Sequence, residues 1–183
     1  MTPFARGYFR RDLPFAIWSL MEKENASNLV FYEAPNDPIA LKSHGDLSHF
    51  ITYFTDPQKV LLVVTDRGTG EIAGICWFQV EANNARALAN WWMRRRFWGH
   101  FTREAGVLAC DYMFGAVGVE HIWGYSPWQT SAKSGMSFGF EYVVGLPDYV
   151  CIDGEFRDMH IVHLSRERFR AGRYYENLFE TRH

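Results

Sequence analysis

The chain has little cysteine. Its three, Cys76, Cys110 and Cys151, are odd in number, far apart and each set in an apolar run. That pattern excludes a disulfide framework or a zinc-ligand spacing and reads as buried thiols in a reducing compartment. No apolar run approaches the roughly 20 residues that a membrane span needs, and the opening MTPFARGYFRRDL lacks the continuous apolar centre of a secretory signal. The expectation is a soluble, cytoplasmic protein without a membrane partner. An excess of one charge is also missing: the formal net charge is −2, so nothing global argues for nucleic acid as partner. The short basic run Arg94, Arg95, Arg96 beside tryptophans has no companion patch. Walker, dinucleotide and nucleophile-elbow motifs are absent. His160 and His163 fall on opposite faces of a strand with no cysteine or carboxylate cluster, so no metal is expected.

What is present fits one globular domain spanning 1–183, with 166–183 as a C-terminal extension or arm: 48% of the residues are hydrophobic and 22% charged. Aromatics reach 17%, a surplus most often spent on the core. The organising stretch is 91–117, WWMRRRFWGHFTREAGVLACDYMFGAV. It reads as a strand end, a tight turn at Gly99, and a helix with Val107, Cys110, Phe114 and Val117 along one face. Amides at such a helix start lack intrahelical partners and lie at the positive end of the helix dipole, so the turn suits a phosphate. The alternative is an ordinary strand-to-helix connection carrying surface arginines.

Upstream, residues 11–24 place Leu13, Ile17, Leu20 and Met21 on one helical face, with Asp12 as N-cap before Pro14. Residues 29–33 read as a short strand, 34–38 as a loop and 46–54 as a second helix. Runs at 60–65, 72–81 and 86–93 read as an antiparallel meander, the second turn formed at Asn83-Asn84. Downstream, 119–126 is strand-like and 130–138 is a short helix closed by Gly139-Phe140. Final strands fall at 142–144, 149–152 and 159–164, with turns between them. Residues 168–183 suit a surface helix, an arm contacting a partner or a partly ordered tail.

This order of elements resembles the GNAT superfamily of acyl-CoA-dependent N-acyltransferases, and most of all the ribosomal-protein N-terminal acetyltransferase type. In that type an aromatic strand end runs into a Phe-Trp-Gly-Lys-Gly-like loop and a helix beginning Thr-Glu-Ala. Here the region reads Trp91-Trp92, then Phe97-Trp98-Gly99-His100-Phe101, then Thr102-Arg103-Glu104-Ala105. An Asn-x-x-Ser motif before a helix ending Gly-Phe is matched by Trp128-Gln129-Thr130-Ser131 and Gly139-Phe140, and a last Asp-to-Leu strand by Asp158 and Leu164. The resemblance covers about residues 8–165. It implies an α+β, three-layer fold: a mixed, mostly antiparallel sheet flanked by helices. It also implies acetyl-CoA as cosubstrate, bound by Met93, Arg94, Arg96, Trp98, Gly99, His100, Phe101 and Thr102.

Two residues depart from the family pattern. Phe101 stands where the phosphate loop has a small residue, and Trp128 replaces the asparagine near pantetheine. Acyl transfer needs a free amine, a donor for the developing oxyanion and a proton for the departing thiolate. In GNAT-like sites a backbone amide near Met93 or Arg94 serves as the donor. Ser131 matches the residue that can protonate the thiolate, against an alternative in which it caps its helix. Elsewhere in the superfamily a tyrosine does this; the matching position here is Gly135, with Tyr125 nearby in sequence. Glu81, in the central hairpin, is the candidate base acting through water, against a plain solvated glutamate, while His100 is likelier to face phosphate. The implied acceptor is the amine of a small molecule, peptide or protein, with a homo-oligomer allowed. The contrary reading is a degenerate GNAT-like fold acting as a structural or interaction module.

Overall fold

The computed structural model describes residues 2–3, 13–24, 47, 50–51, 55–81, 83–152, 155–172 and 174. Among them, seven strands form one sheet in the order β1-β2-β3-β4-β5-β7-β6. A two-residue strand, β1 (Thr2–Pro3), edges β2 (Lys59–Thr65), and β3 (Ile72–Val80) and β4 (Arg86–Met93) complete an antiparallel meander. β2 and β3 are buried on both faces, which is why they read as continuous apolar runs instead of alternating ones. The first turn is held by Asp66, whose carboxylate accepts the Thr69 amide at 2.8 Å and the Thr69 hydroxyl at 3.1 Å. In the second turn Asn84 takes the positive φ, 56°, that asparagine tolerates.

β4 leads through one 3₁₀ turn, Arg95–Phe97, into α2 (His100–Tyr112). β5 (His121–Ser126) then pairs with β4 in parallel. After α3 (Gln129–Ser137), β6 (Glu141–Ile152) and β7 (Glu155–Ser165) form a long hairpin, and α4 (Arg166–Ala171) follows. α1 (Leu13–Lys23) covers the other side of the sheet.

The two sheet faces bury separate cores. Val60, Leu62, Cys76, Phe78, Ala87, Ala89, Ile122, Val162 and Leu164 pack against Val107, Cys110 and Phe114 after them, Phe138 of the α3 end, and Phe169 of α4. Opposite, Leu61, Val63, Ile75, Trp77 and Trp92 meet Ile17, Trp18 and Met21 of α1, with Phe50. Each fully buried aliphatic or aromatic side chain contributes about 1.5–3 kcal/mol over leaving it in water. Burial pushes the Cys76 thiol up to about 12 and Cys110 well above its ordinary value, so both remain protonated and inert. This is the mixed, mostly antiparallel α+β sheet that the sequence implied.

Several boundaries differ from expectation. The long helix does not run regularly to Val117; α2 ends at Tyr112 and widens into a π-helical turn, Met113–Val117, closed by Gly118 at φ 87°. Segments expected as separate strands at 142–144 and 149–152 are one strand, β6, with irregularities at Tyr142/Val144 and Leu146/Val150. Its Leu-Pro-Asp sequence makes a bulge and not a turn. On an edge strand the missing Pro147 amide costs no ladder bond, and Asp148 takes φ 48° while its amide donates to the Asp158 carboxylate at 3.1 Å. Of the C-terminal stretch, residues 166–171 are the helix α4, whose Ser165 cap accepts the Arg168 amide. The expected strand at 29–33, the loop at 34–38 and the cap Asp12 lie outside the described residues. Leu47, Phe50 and Ile51 are helical, within the expected 46–54 helix. Among the described residues no helix is long and apolar enough to cross a membrane, and no group of three or more His, Cys, Asp or Glu is placed to hold a metal ion.

Candidate active site

The sheet opens at its one parallel junction. β4 and β5 pair from Arg86↔His121 to Ala89↔Gly124, and there the ladder stops. Beyond it β4 stays on β3 as far as Gly74↔Met93, while β5 stays on β7 as far as Ser126↔His160, so the two strands part. The hydrogen-bond phase of β4 decides what faces the opening. The Arg94 amide donates to Ala73 O, and the Glu81 amide to Arg86 O, so the even-numbered residues of β4 pair with β3. By antiparallel alternation, the amides and carbonyls of Trp91 and Met93 point into the gap.

The gap is a cleft open to solvent. Trp77, Asn90 and Tyr125 line it from the α1 face of the sheet. Trp91, Ser126, Trp128, Ser131 and His160 line it from the α3 face, so it passes through the sheet. Trp91 is held edge-on by Phe138 at 5.3 Å and by Phe140 at 6.2 Å between centroids. Gly135 lies beside Trp91: an added Cβ would be in ordinary contact with the indole, at 3.4 Å, and with Phe140, at 3.7 Å.

From the end of β4 at Met93 the chain passes through the 3₁₀ turn to the start of α2. Gly99 takes φ 87° and ψ −124°, a conformation that L side chains rarely adopt, and a Cβ on it would meet nothing within 4 Å. The first helical bond is the Arg103 amide to Gly99 O, at 3.1 Å. Among the described residues the amides of Gly99, His100, Phe101 and Thr102 therefore have no backbone partner, and they open toward solvent at the positive end of a 13-residue helix. Phe101 packs, partly buried, against the core beside Phe97, with centroids 5.0 Å apart, and not over these amides. Thr102 closes the loop by donating its hydroxyl to Phe97 O at 2.9 Å. Trp98 is 66% exposed, and its indole N–H donates to Met93 O at 2.8 Å, across the mouth of the gap.

The arginines behave differently from expectation. Arg94 is only 13% exposed, and its guanidinium is consumed by Glu24 at the end of α1, by Glu71 at 2.9 Å and by Ile72 O at 3.1 Å. Glu24 and then Glu71 raise its pKa. With its amide also bonded within the sheet and its Nε and Nη1 taken by carboxylates and a carbonyl, Arg94 offers a ligand no backbone N–H and a charge already countered by two carboxylates. Arg96 pairs with Glu71 as well and lies 4.8 Å over the Phe97 ring. The Arg96 and Arg94 guanidiniums hold the Glu71 carboxyl below its usual range.

Glu81 is not brought into the cleft. It sits exposed at the far end of the β3–β4 hairpin, four residues past Trp77, about 13 Å along an extended strand. Ser131 is in the cleft, in the first turn of α3. It is not the cap: that position is Trp128, which has no side-chain cap bond and whose amide donates to Ser126 Oγ at 3.1 Å. Two further residues reach the cleft. Tyr125, named from the sequence only for its nearness, enters because β5 turns it to the gap. His160, read as one of a pair on opposite strand faces, enters because β7 lies next to β5, a non-local pairing that spacing alone does not encode.

No protein-family model matches the chain, and no curated protein sequence does so either. Solved structures do match in fold. Spermidine N-acetyltransferase from Vibrio cholerae in complex with CoA and spermine superposes with a TM-score of 0.69 at 17% sequence identity, over 92% of this chain and 97% of that one. The spermidine/spermine N-acetyltransferase SpeG of the same organism in complex with manganese ions gives a TM-score of 0.66 at 17% identity, over 94% and 96%. The architecture of this chain is that of the GNAT N-acetyltransferase fold.

Proposed function

We propose that this chain transfers an acetyl group from acetyl-CoA to a primary amine in the cleft between β4 and β5. The observation that carries the reading is two sets of unpaired backbone donors: the Trp91 and Met93 amides in the gap, and the Gly99–Thr102 amides at the helix start. Between them the amides of Arg94, Phe97 and Trp98 are taken up by backbone carbonyls. Two such sets suit a molecule with an anionic pyrophosphate at one end and an amide-bearing arm at the other. The open space around Gly99 and the inward turn of Phe101 leave that cradle accessible, which weighs against the degenerate, interaction-only alternative. Gly99, His100, Phe101 and Thr102 would hold the phosphates, Trp91 and Met93 the arm, and the Met93 amide is the available donor for an oxyanion. Of the hydroxyls that line the cleft, Ser126 accepts the Trp128 amide, and we assign Ser131 or Tyr125 to protonate the thiolate.

The acceptor is the finer question. The Vibrio cholerae enzyme binds spermine, and an amine-bearing small molecule is one acceptor class for this chain. The loop and Gly-Phe motifs, shared with the ribosomal-protein type, support a peptide α-amine as the other. An α-amine titrates near pH 8 and is partly free at neutral pH without assistance. Three unpaired cysteines suit a cytoplasmic site of action.

Calorimetry with acetyl-CoA and CoA on the purified chain tests the reading. It is followed by thiol release with spermidine, 2-phenylethylamine and an alanine-initiated tripeptide as acceptors. Low-micromolar binding with turnover of at least one amine is expected. Absence of binding up to millimolar acetyl-CoA would overturn it.

A further inference from the structure

We infer that His160 is the general base that takes the proton from the incoming amine, and that Tyr142 and Gly145 exist to hold it in place; this rests on the acetyl-transfer reading above. Among the described residues lining the cleft, His160 and Tyr125 are the ionisable ones. Imidazole is the side chain suited to exchange a proton near neutral pH. His160 lies on β7 opposite Ser126, at the last paired rung of β5 before the opening, on the same sheet face as Val162 and Leu164.

The other side of the imidazole is built to receive one partner. Tyr142 Oη lies 3.0 Å from His160 Nδ1. Between them in register is Gly145, the β6 residue paired with His160. A Cβ at Gly145 would come within 2.6 Å of Tyr142 Oη, so only glycine leaves space for the phenol to reach the ring. The β6 irregularity at Tyr142/Val144 sets Tyr142 beside it. With Nδ1–H donated to the Tyr142 oxygen, Nε2 carries the lone pair. The groups on the sheet face of the imidazole are then Tyr142 from β6, Ser126 from β5 and Trp128 before α3, while Tyr125 lines the cleft from the other face. Arg157, 6.0 Å from the Trp128 ring, is the nearby fixed positive charge.

The step balances as follows. An R–NH₃⁺ acceptor gives one proton to His160 Nε2, and its nitrogen forms a bond to the acyl carbon as the C–S bond breaks. The second nitrogen proton goes to the departing sulfur through Ser131 or Tyr125. His160 returns its proton to solvent, so one proton is released for each amide and free thiol formed.

The test uses the full chain, with the acceptor that turns over best among spermidine, 2-phenylethylamine and the tripeptide. His160→Gln should lower kcat/KM at pH 7 by about 100-fold and abolish the fall in rate on the acid side, while CoA affinity by calorimetry is unchanged. Tyr142→Phe should lower kcat by about 10-fold with KM little changed and the acid limb retained, because the base persists but is no longer held. Gly145→Ala should match Tyr142→Phe, and adding it to Tyr142→Phe should cost nothing more. These variants keep the inference testable if His160→Gln fails to fold. Wild-type kcat/KM in His160→Gln, or wild-type kcat in both Tyr142→Phe and Gly145→Ala, would overturn the inference alone. An unaltered chain that binds no CoA, or binds it and acetylates none of the three amines, would overturn the acetyl-transfer reading and this inference together.

Discussion

Residues 94–96 and 99–102 are neighbours in one loop with opposite fates. The first stretch carries three positive charges, yet Arg94 and Arg96 are taken up by Glu24 and Glu71. The second carries no fixed charge at all, yet its four amides are unpartnered and open. The electrostatic attraction of this site for an anion therefore comes mainly from the backbone dipoles at the start of α2. Side-chain charge is spent instead on fastening α1 to the β3–β4 turn. Arg95, exposed beside them, is the arginine of the three with no carboxylate held against it among the described residues.

The most severe way to break this contrast is Gly99→Trp. It places a bulky side chain where there is open space and forces an L residue to φ 87°. We expect CoA affinity to fall by at least about 100-fold, roughly 2.7 kcal/mol, with the circular dichroism spectrum of the wild type retained. Unchanged affinity by calorimetry would mean that the open amides are not where the anion binds.

Arg94→Met should produce the reverse pattern. Removing a guanidinium that is 13% exposed and bonded to two carboxylates and a carbonyl takes the Arg94 pairing from Glu24 and leaves Glu71 with Arg96. A loss of about 1–3 kcal/mol in unfolding free energy is expected, discounted because Glu71 is substantially solvated. CoA affinity, in contrast, should stay within about threefold, less than 1 kcal/mol. A tenfold loss of CoA affinity in a stably folded Arg94→Met would show that the charge acts at a distance and would erase the distinction between the two stretches.

Much of this was legible in the sequence where the signal is local. The turn at Gly99, the helix after it, the meander and the hairpin at Asn83-Asn84 follow from period, glycine and turn chemistry. The role of the arginines was not, because three adjacent basic residues look alike until their partners are known, and Glu24 and Glu71 lie 70 and 23 residues away from Arg94. Phe101 looked like an obstruction because a loop sequence does not say which way a ring turns. Here the ring lies against Phe97, across the Gly99 turn, and both pack partly buried against the core. Glu81 looked close to the site because hairpins are central in this fold. Its residue number could not reveal that the cleft opens at the opposite end of β4. His160 needed the β5–β7 register, and no local pattern carries that.

The smallest expected effect concerns Glu71, where the arginine-rich stretch meets pH. Arg96 and Arg94 depress its pKa below the ordinary glutamate value. A carboxylate with a depressed folded-state pKa binds fewer protons folded than unfolded. Its stabilisation is therefore complete above the unfolded value, about 4.3, and is lost as pH falls through the lower folded one. In Glu71→Gln that part of the acid dependence is absent. The difference in melting temperature between wild type and variant should be constant from about pH 8 to pH 5 and then shrink below about pH 4. The same titration must leave the Gly99–Thr102 amides untouched, since no titrating side chain holds them. If CoA affinity in the wild type fell in step with Glu71 protonation while that of Glu71→Gln did not, the two stretches would be coupled through Arg96. The loop would then have to be treated as one binding unit, with its charges and its backbone acting together.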